Sequence, residues 1–260
     1  MIDAPTSLAA AGAALAVMGG AWAISVPIRD ASIADIAWGA TFIAIGWTCL
    51  AVGPVAEDRS LLIALLVSAW GLRLAAYIGY RHDGEDRRYR AMREKHGDGF
   101  AWRSLLSVFG VQAAVAWVVS LPIQSAAADG TPDLGVLAIV GGLVCIVAIA
   151  LETTADLQLA RFLKRPDSSG RVMDEGLWRY SRHPNYFGDA LFWWGIWLIA
   201  LETGSAWWTA IGPALMTLFL LRVSGVSLTE KTIAKRRPGY AEYMERTSGF
   251  VPLPPRRPTV

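Results

Sequence analysis

Seven apolar runs of membrane-spanning length recur along this chain, and they constrain its fold more than any motif does. They lie at roughly 7–27, 31–54, 60–80, 103–123, 134–154, 187–203 and 206–227. Inside a bilayer every backbone N–H and C=O must be satisfied within the protein, and runs of this length achieve that as helices. The sequence therefore predicts an all-α integral membrane protein of about seven transmembrane helices, forming a single membrane domain over residues 1–260. The connections 28–30 and 204–205 are so short that the first two and the last two spans read as helical hairpins. The first run lacks a basic leader and is long enough to span, so it reads as a retained helix and not as a cleaved signal. Composition agrees: 54% of the residues are hydrophobic, against about 45–50% in soluble domains.

Orientation follows from lysine and arginine, which gather on the cytoplasmic side. Arg81, Arg87, Arg88, Arg90, Arg93 and Lys95 lie between the third and fourth spans. Arg161, Lys164, Arg165, Arg171, Arg179 and Arg182 lie between the fifth and sixth. The tail adds Lys231, Lys235, Arg236, Arg237, Arg246, Arg256 and Arg257, whereas the N-terminus, 124–133 and 204–205 carry none and 55–59 only Arg59. This alternation predicts an outside N-terminus and a cytoplasmic C-terminus. Residues of about 81–102, 155–186 and 228–260 then build one cytoplasmic cap.

Ionisable side chains inside spans are costly and mark function by default. Asp35 sits about 6 Å from the cytoplasmic end of the second span, counting 1.5 Å per residue. Trp70, Arg73, Tyr77 and Arg81 are spaced three, four and four, so they share one face of the third span. That face reads as the wall of a polar cavity; a structural Asp35–Arg73 ion pair is the plainer alternative. Glu152 and Asp156, four apart at the end of the fifth span, repel one another unless a cation or donor-rich ligand meets them. Cys49 and Cys145 lie in apolar runs and read as core residues. His82, His96 and His183 lack ligand-like spacing, so no metal is expected.

The densest polar stretch runs from Gly176 to Asp189 and holds Arg179, Tyr180, Arg182, His183, Asn185 and Tyr186 directly before a hydrophobic span. The residue before a proline avoids the α region, so His183-Pro184 ends any incoming helix and a new one starts behind it. Free N–H groups at such a start attract anions. Interfacial anchoring explains the aromatic and basic residues, but not a His, an Asn and an Asp packed among them. The loop Lys164–Arg171 is basic and rich in breakers, which suits phosphate, although such residues also meet anionic lipid. Tyr240 and Tyr243 sit one turn apart on a short amphipathic tail helix placed to close over the cap. Polar groups thus gather at the cytoplasmic edge. This suits a phosphorylated cofactor from the cytoplasm and a lipid-soluble substrate from the bilayer. No Gly-rich dinucleotide turn or P-loop is present to hold such a cofactor.

The pattern Gly176-Leu-Trp-x-x-x-Arg-His-Pro-Asn-Tyr-x-Gly-Asp189, followed by a Trp-rich span and a tail of the form Arg-Pro-Gly-Tyr-x-x-Tyr ending in Phe-Val-Pro252, resembles the steroid 5-alpha-reductase C-terminal superfamily. It is most similar to the bacterial branch long described as a domain of unknown function. The likeness runs from Asp35 to Pro252 and is most specific after Glu152. Its Arg-His-Pro core is shared with sterol reductases and isoprenylcysteine carboxyl methyltransferases. The resemblance implies a multi-pass bacterial inner-membrane enzyme that holds NADPH in a cytoplasmic pocket and passes hydride to a carbon–carbon double bond of a steroid or other lipid. By the same resemblance, Glu152, Asp156, Lys164, Arg171, Tyr180, Arg182, His183, Asn185, Asp189 and Tyr240 line the cofactor site. The family's second-span Glu corresponds to Asp35, and its third-span Tyr aligns nearer Trp70, with Tyr77 two turns on.

The expected chemistry is hydride transfer to an activated alkene, with Asp35 as general acid and Tyr77 second. Trp38, Trp70 and Arg73 face the substrate, while Arg81, Arg87 and Arg88, with Asp86 and Tyr89, complete the cofactor pocket. The rival enzyme is an S-adenosylmethionine-dependent methyltransferase of a prenyl or lipid substrate. The rival non-enzyme is a transporter, which calls for a midplane site. Neither nucleic acid nor an obligate protein partner is expected.

Overall fold

The computed structural model describes residues 2–53, 58–128, 134–223, 226, 230, 233 and 237–256. Lys231, Lys235, Arg236 and Arg257, counted above among the tail's basic residues, lie outside the described residues. Every regular element among the described residues is helical. The chain divides into two compact units. The first comprises Met1–Gly142 with Ile196–Gly212, and the second Leu143–Gly195 with Pro213–Val260.

The first unit begins with α1 (Ala4–Ile28), whose N-terminus is capped by the Asp3 carboxylate accepting from the Thr6 N–H at 2.7 Å. It ends at Arg29, which takes a left-handed conformation (φ 56°) and returns its N–H to the carbonyls of Ser25 and Val26. A tight turn leads into α2 (Ile33–Val52), and α3 (Asp58–Arg81) follows. On α1 the buried positions Thr6, Ala10, Ala14, Met18, Ala21 and Ser25 repeat at helical spacing, while the apolar Leu8, Leu15 and Ile24 are exposed. Small residues inside and large apolar ones outside are the pattern of helices packed in lipid. On α2 and α3, Gly39 meets Gly71: a Cβ on Gly39 would fall 2.3 Å from the Gly71 carbonyl oxygen.

After α3 comes α4 (Arg87–His96), capped by the Asp86 carboxylate accepting from Arg88 N–H at 2.9 Å. A short 3₁₀ turn joins it to α5 (Phe100–Ser104), a π-helical segment over Leu105–Gly110, and α6 (Val111–Val119). The expected fourth span, 103–123, thus stops at Ser120, and the separate short helix α7 (Leu121–Ala127) follows, with Pro122 in its first turn. In the second unit, α8 (Val136–Leu163, from Leu143 onward) precedes the loop that carries the polar motif. Then come α9 (Pro184–Leu201), α10 (Ile211–Leu218) running into a π segment to Val223, and α11 (Tyr240–Arg246). The α9 start falls on Pro184, where the sequence places it.

Five helical stretches are long and apolar enough to cross a membrane: Ala4–Ile28, Ile33–Val52, Asp58–Arg81, Arg87–Val119 and Val136–Leu163. The remaining two expected spans fall short of this measure. Trp207–Val223 is too short, and α9 spends its first six residues on Pro184, Asn185 and Asp189 as well as apolar side chains.

Candidate functional site

In the first unit, the turn after α1 and the loop after α3 are stitched together by side chains. Asp30 Oδ2 lies 2.7 Å from His82 Nε2, and the Ala31 N–H donates to Glu85 Oε1 at 3.0 Å. The Asp86 N–H donates to Ser32 Oγ at 2.7 Å. Arg93 donates twice to Glu85, at 2.7 and 3.0 Å. Burial works to raise the Glu85 carboxyl, but the Arg93 hydrogen bonds, the Ala31 N–H and the Arg93 charge outweigh it and hold the group below the usual carboxylate range.

These stitches frame an open cavity of about 400 Å³ at the polar ends of α2 and α3. Five residues placed in the site from the sequence line it: Asp35, Tyr77, Arg81, Asp86 and Arg87. Arg81 donates to Tyr77 Oη at 3.0 Å and lies over the Tyr77 ring, 5.3 Å from its centre. Asp35 accepts from Arg88 at 2.9 Å and from the Tyr89 hydroxyl at 2.7 Å, with the Gln112 amide at 3.4 Å. The plainer alternative of an Asp35–Arg73 pair is therefore not the arrangement found: the Asp35 cation is Arg88. Arg88 also pairs with Asp86 at 2.9 Å, so this guanidinium is occupied by two carboxylates. Trp70 is fully buried and stands edge-on to Phe42 at 5.7 Å, which in turn stands edge-on to Trp38 at 5.0 Å. Arg73 is partly buried on the same helix.

In the second unit, Gly188 sets the geometry. A Cβ there would fall 2.9 Å from Cβ of Glu152 and 3.1 Å from the Ala148 carbonyl, so α8 and α9 touch at that point. The contact gathers Glu152, Asp156 and Asp189, all buried, with Asn185. Asn185 Nδ2 donates to Asp156 Oδ1 at 3.1 Å, while its buried Oδ1 has no hydrogen-bond partner among the described residues. His183 is buried, stacks on Tyr186 at 5.4 Å, and puts Nε2 3.3 Å from Glu230. Arg182 donates to Glu230 at 2.7 Å, to the Thr247 carbonyl at 2.7 Å and to the Met244 carbonyl at 2.9 Å. Burial works to raise the Glu230 carboxyl, yet the His183 and Arg182 hydrogen bonds and charges hold it below its ordinary value.

The tail packs against the motif it was expected to cover. The Tyr243 hydroxyl donates to the Trp178 carbonyl, Ser181 Oγ to the Phe250 carbonyl at 2.7 Å, and the Leu253 N–H to the Tyr180 carbonyl at 2.9 Å. Tyr240 is buried, and that burial pushes its hydroxyl up to about 12. Tyr180, Lys164 and Arg171 are exposed instead; Arg171 pairs with Asp167, four residues back on the same loop.

Fitting a nicotinamide nucleotide to these groups divides them by chemistry. The Asn185 Oδ1 left without a donor and the acceptors beside it suit hydroxyl and carboxamide groups. Arg182 and Arg88 are spent on internal carboxylates, so they are less suited to phosphate than the sequence implied. Two residues that sequence reasoning left out of the site, Gln112 and Glu230, help to hold it in place beside Tyr89, which it did place there. Tyr89 and Gln112 bind Asp35, and Glu230 binds His183 and Arg182. Gln112 is a neutral amide in an apolar run, and Glu230 stands far along the chain from its partners.

No curated protein and no solved structure matches the chain. Residues 21–247 match the model of a family described as a protein of unknown function, DUF1295, and the chain belongs to that family.

Proposed function

We propose that this protein is a membrane-embedded reductase that uses NADPH to saturate an activated carbon–carbon double bond of a steroid or other lipid, working at the cytoplasmic edge of a seven-span bundle. One observation carries this reading. Tyr77, on the wall of the first unit's cavity, has its hydroxyl oxygen bound by Arg81 at 3.0 Å. When bound, NADPH supplies the hydride.

The chain's residues supply the proton and the order. Tyr77 donates its proton to a conjugated carbonyl or to the carbon beside it. The Arg81 guanidinium stabilises the phenolate oxygen as the proton leaves. Asp35, first choice for the acid from sequence, has its oxygens engaged by Arg88 at 2.9 Å and by the Tyr89 hydroxyl at 2.7 Å. Its role is then to accept a hydrogen bond and orient the ligand, and the acid role passes to Tyr77. In the second unit, Asn185, Asp156, Glu152 and Asp189 offer acceptors for the ribose hydroxyls and carboxamide, with His183 and Arg182 positioned by Glu230. Exposed Lys164 and Arg171, and Tyr180 and Tyr240, complete the set implied by the motif.

The second reading is the methyltransferase. The buried acids around Asn185 favour it, since a sulfonium or amino group is cationic. The test is a single-turnover reaction with NADPH deuterated at the transferring carbon and an enone-bearing lipid. Deuterium in the reduced lipid, lost in Tyr77→Phe, supports the reductase. Transfer of a labelled methyl group from S-adenosylmethionine, with no deuterium transferred, overturns it.

A further inference from the structure

We propose that the cavity of the first unit is a subsite for the anionic head of a lipid, a phosphate or carboxylate, whose apolar chain stays in the bilayer. The proposal goes beyond the reductase reading, because the binding it describes needs no cofactor.

The first argument is polarity and depth. Ile78 is the only aliphatic side chain in the lining. One helical turn past Asp35, α2 and α3 touch at Gly39 and Gly71, backbone on backbone, so the cavity cannot continue between these two helices. Beside that contact Trp38, Phe42 and Trp70 stack edge to face and fill the space. A shallow polar cavity takes the end of a lipid.

The second argument is charge. Three acids of the lining are already committed: Asp35 to Arg88 and Tyr89, Glu85 to Arg93 and the Ala31 N–H, Asp86 to Arg88. His82 is committed to Asp30. Arg81 gives a hydrogen bond to Tyr77, but the other two arginines are paired with no carboxylate among the described residues. Arg90 gives one hydrogen bond, to the Glu85 carbonyl at 3.0 Å, and Arg87 makes none among the described residues. Both are exposed at the rim. Each guanidinium carries five N–H donors in a planar fork that matches phosphate and carboxylate oxygens. Asp83 is the one acid in the lining with no hydrogen bond or ion pair among the described residues, and two such cations line the same cavity. The uncommitted charge at the rim is therefore positive.

The experiment measures binding of dihexanoyl phosphatidic acid and dihexanoyl phosphatidylcholine to the purified full chain in detergent, with NADPH binding measured in parallel. Wild type should prefer the phosphatidic acid by about tenfold or more, as paired arginine–phosphate hydrogen bonds require. The variant Arg90→Gln should lose much of that preference and keep NADPH binding. Asp83→Asn should strengthen it, a gain that no folding defect imitates. Arg103→Gln, a basic residue outside the cavity, should leave it unchanged.

Equal binding of the two lipids by wild type overturns the proposal, as does an equal loss in Arg103→Gln, which means general attraction to basic surface. Loss of NADPH binding with lipid preference intact in Arg90→Gln assigns the rim to the nucleotide and also overturns it. If wild type binds no NADPH but keeps the lipid preference, the reductase reading fails and the subsite stands.

Discussion

Arg81 donates a hydrogen bond to the hydroxyl oxygen of Tyr77, one helical turn before it, at 3.0 Å. The pair sits on the cavity wall with the Asp35 carboxylate, itself fixed by Arg88 and Tyr89. A phenol whose oxygen already faces a guanidinium gives up its proton at lower cost, because the charge left behind is met at once.

Tyr77→Phe should therefore lower the rate of double-bond reduction by about 10²–10⁴-fold, the usual contribution of a positioned general acid, with NADPH affinity unchanged. Pre-steady-state rates beside equilibrium binding check this. A proportionate loss of NADPH binding would mean that Tyr77 holds the cofactor instead.

Gly39→Ala should destabilise the protein by about 1–3 kcal/mol, since the added methyl meets the Gly71 carbonyl oxygen at 2.3 Å and that oxygen belongs to backbone. Gly79→Ala on the same helix pair meets nothing within 4 Å and should be neutral or stabilising by up to about 1 kcal/mol. Thermal unfolding of the two variants, measured together, separates close backbone packing from a general intolerance of α3.

Glu230 gives a pH signature whose sign is fixed by the direction of its shift. Its carboxyl lies below the ordinary 4.5 in the folded chain, so folding favours the ionised form. The stability it contributes is fully present above about 4.5 and drains away as pH falls through the folded value. Between about pH 5 and 3 the wild-type unfolding midpoint should fall more steeply than that of Glu230→Gln. Parallel curves would mean that the His183–Glu230–Arg182 contacts add nothing to stability.

Arg182→Gln should release the tail. The guanidinium bridges Glu230 and the carbonyls of Met244 and Thr247, and a glutamine cannot span all three. Chymotrypsin should then cut at Tyr240 and Tyr243, which are buried in the intact chain, far faster than in wild type. Unchanged cleavage would place the hold on the tail in the Tyr243–Trp178 and Ser181–Phe250 bonds alone.

The helices were legible because apolar length is a local property: α1 and α3 cover the runs predicted for them, α2 and α8 cover theirs but for end residues, and Pro184 starts α9 where its fixed φ demands. The tail helix was legible from Tyr240 and Tyr243 one turn apart. Asp35 was legible as a lone acid in a span, but its partner was not. A span residue and a loop residue 53 positions on meet only once α4 is folded back, so Arg88 read as a phosphate ligand when it is a counter-ion. A separation of 48 positions hid Glu230 from Arg182 in the same way. The break at Ser120 was missed because apolar content continues across it, and composition does not register where one helix stops and the next begins.

The most direct measurement is equilibrium binding of NADPH and of S-adenosylmethionine to the purified full chain, for wild type and Asn185→Ala. The reductase account predicts tight NADPH binding, weak or absent S-adenosylmethionine binding, and loss of the former in the variant, which removes the amide that donates to Asp156 at 3.1 Å. Binding of S-adenosylmethionine alone would contradict the account and make the second unit's buried acids the site of a methyltransferase.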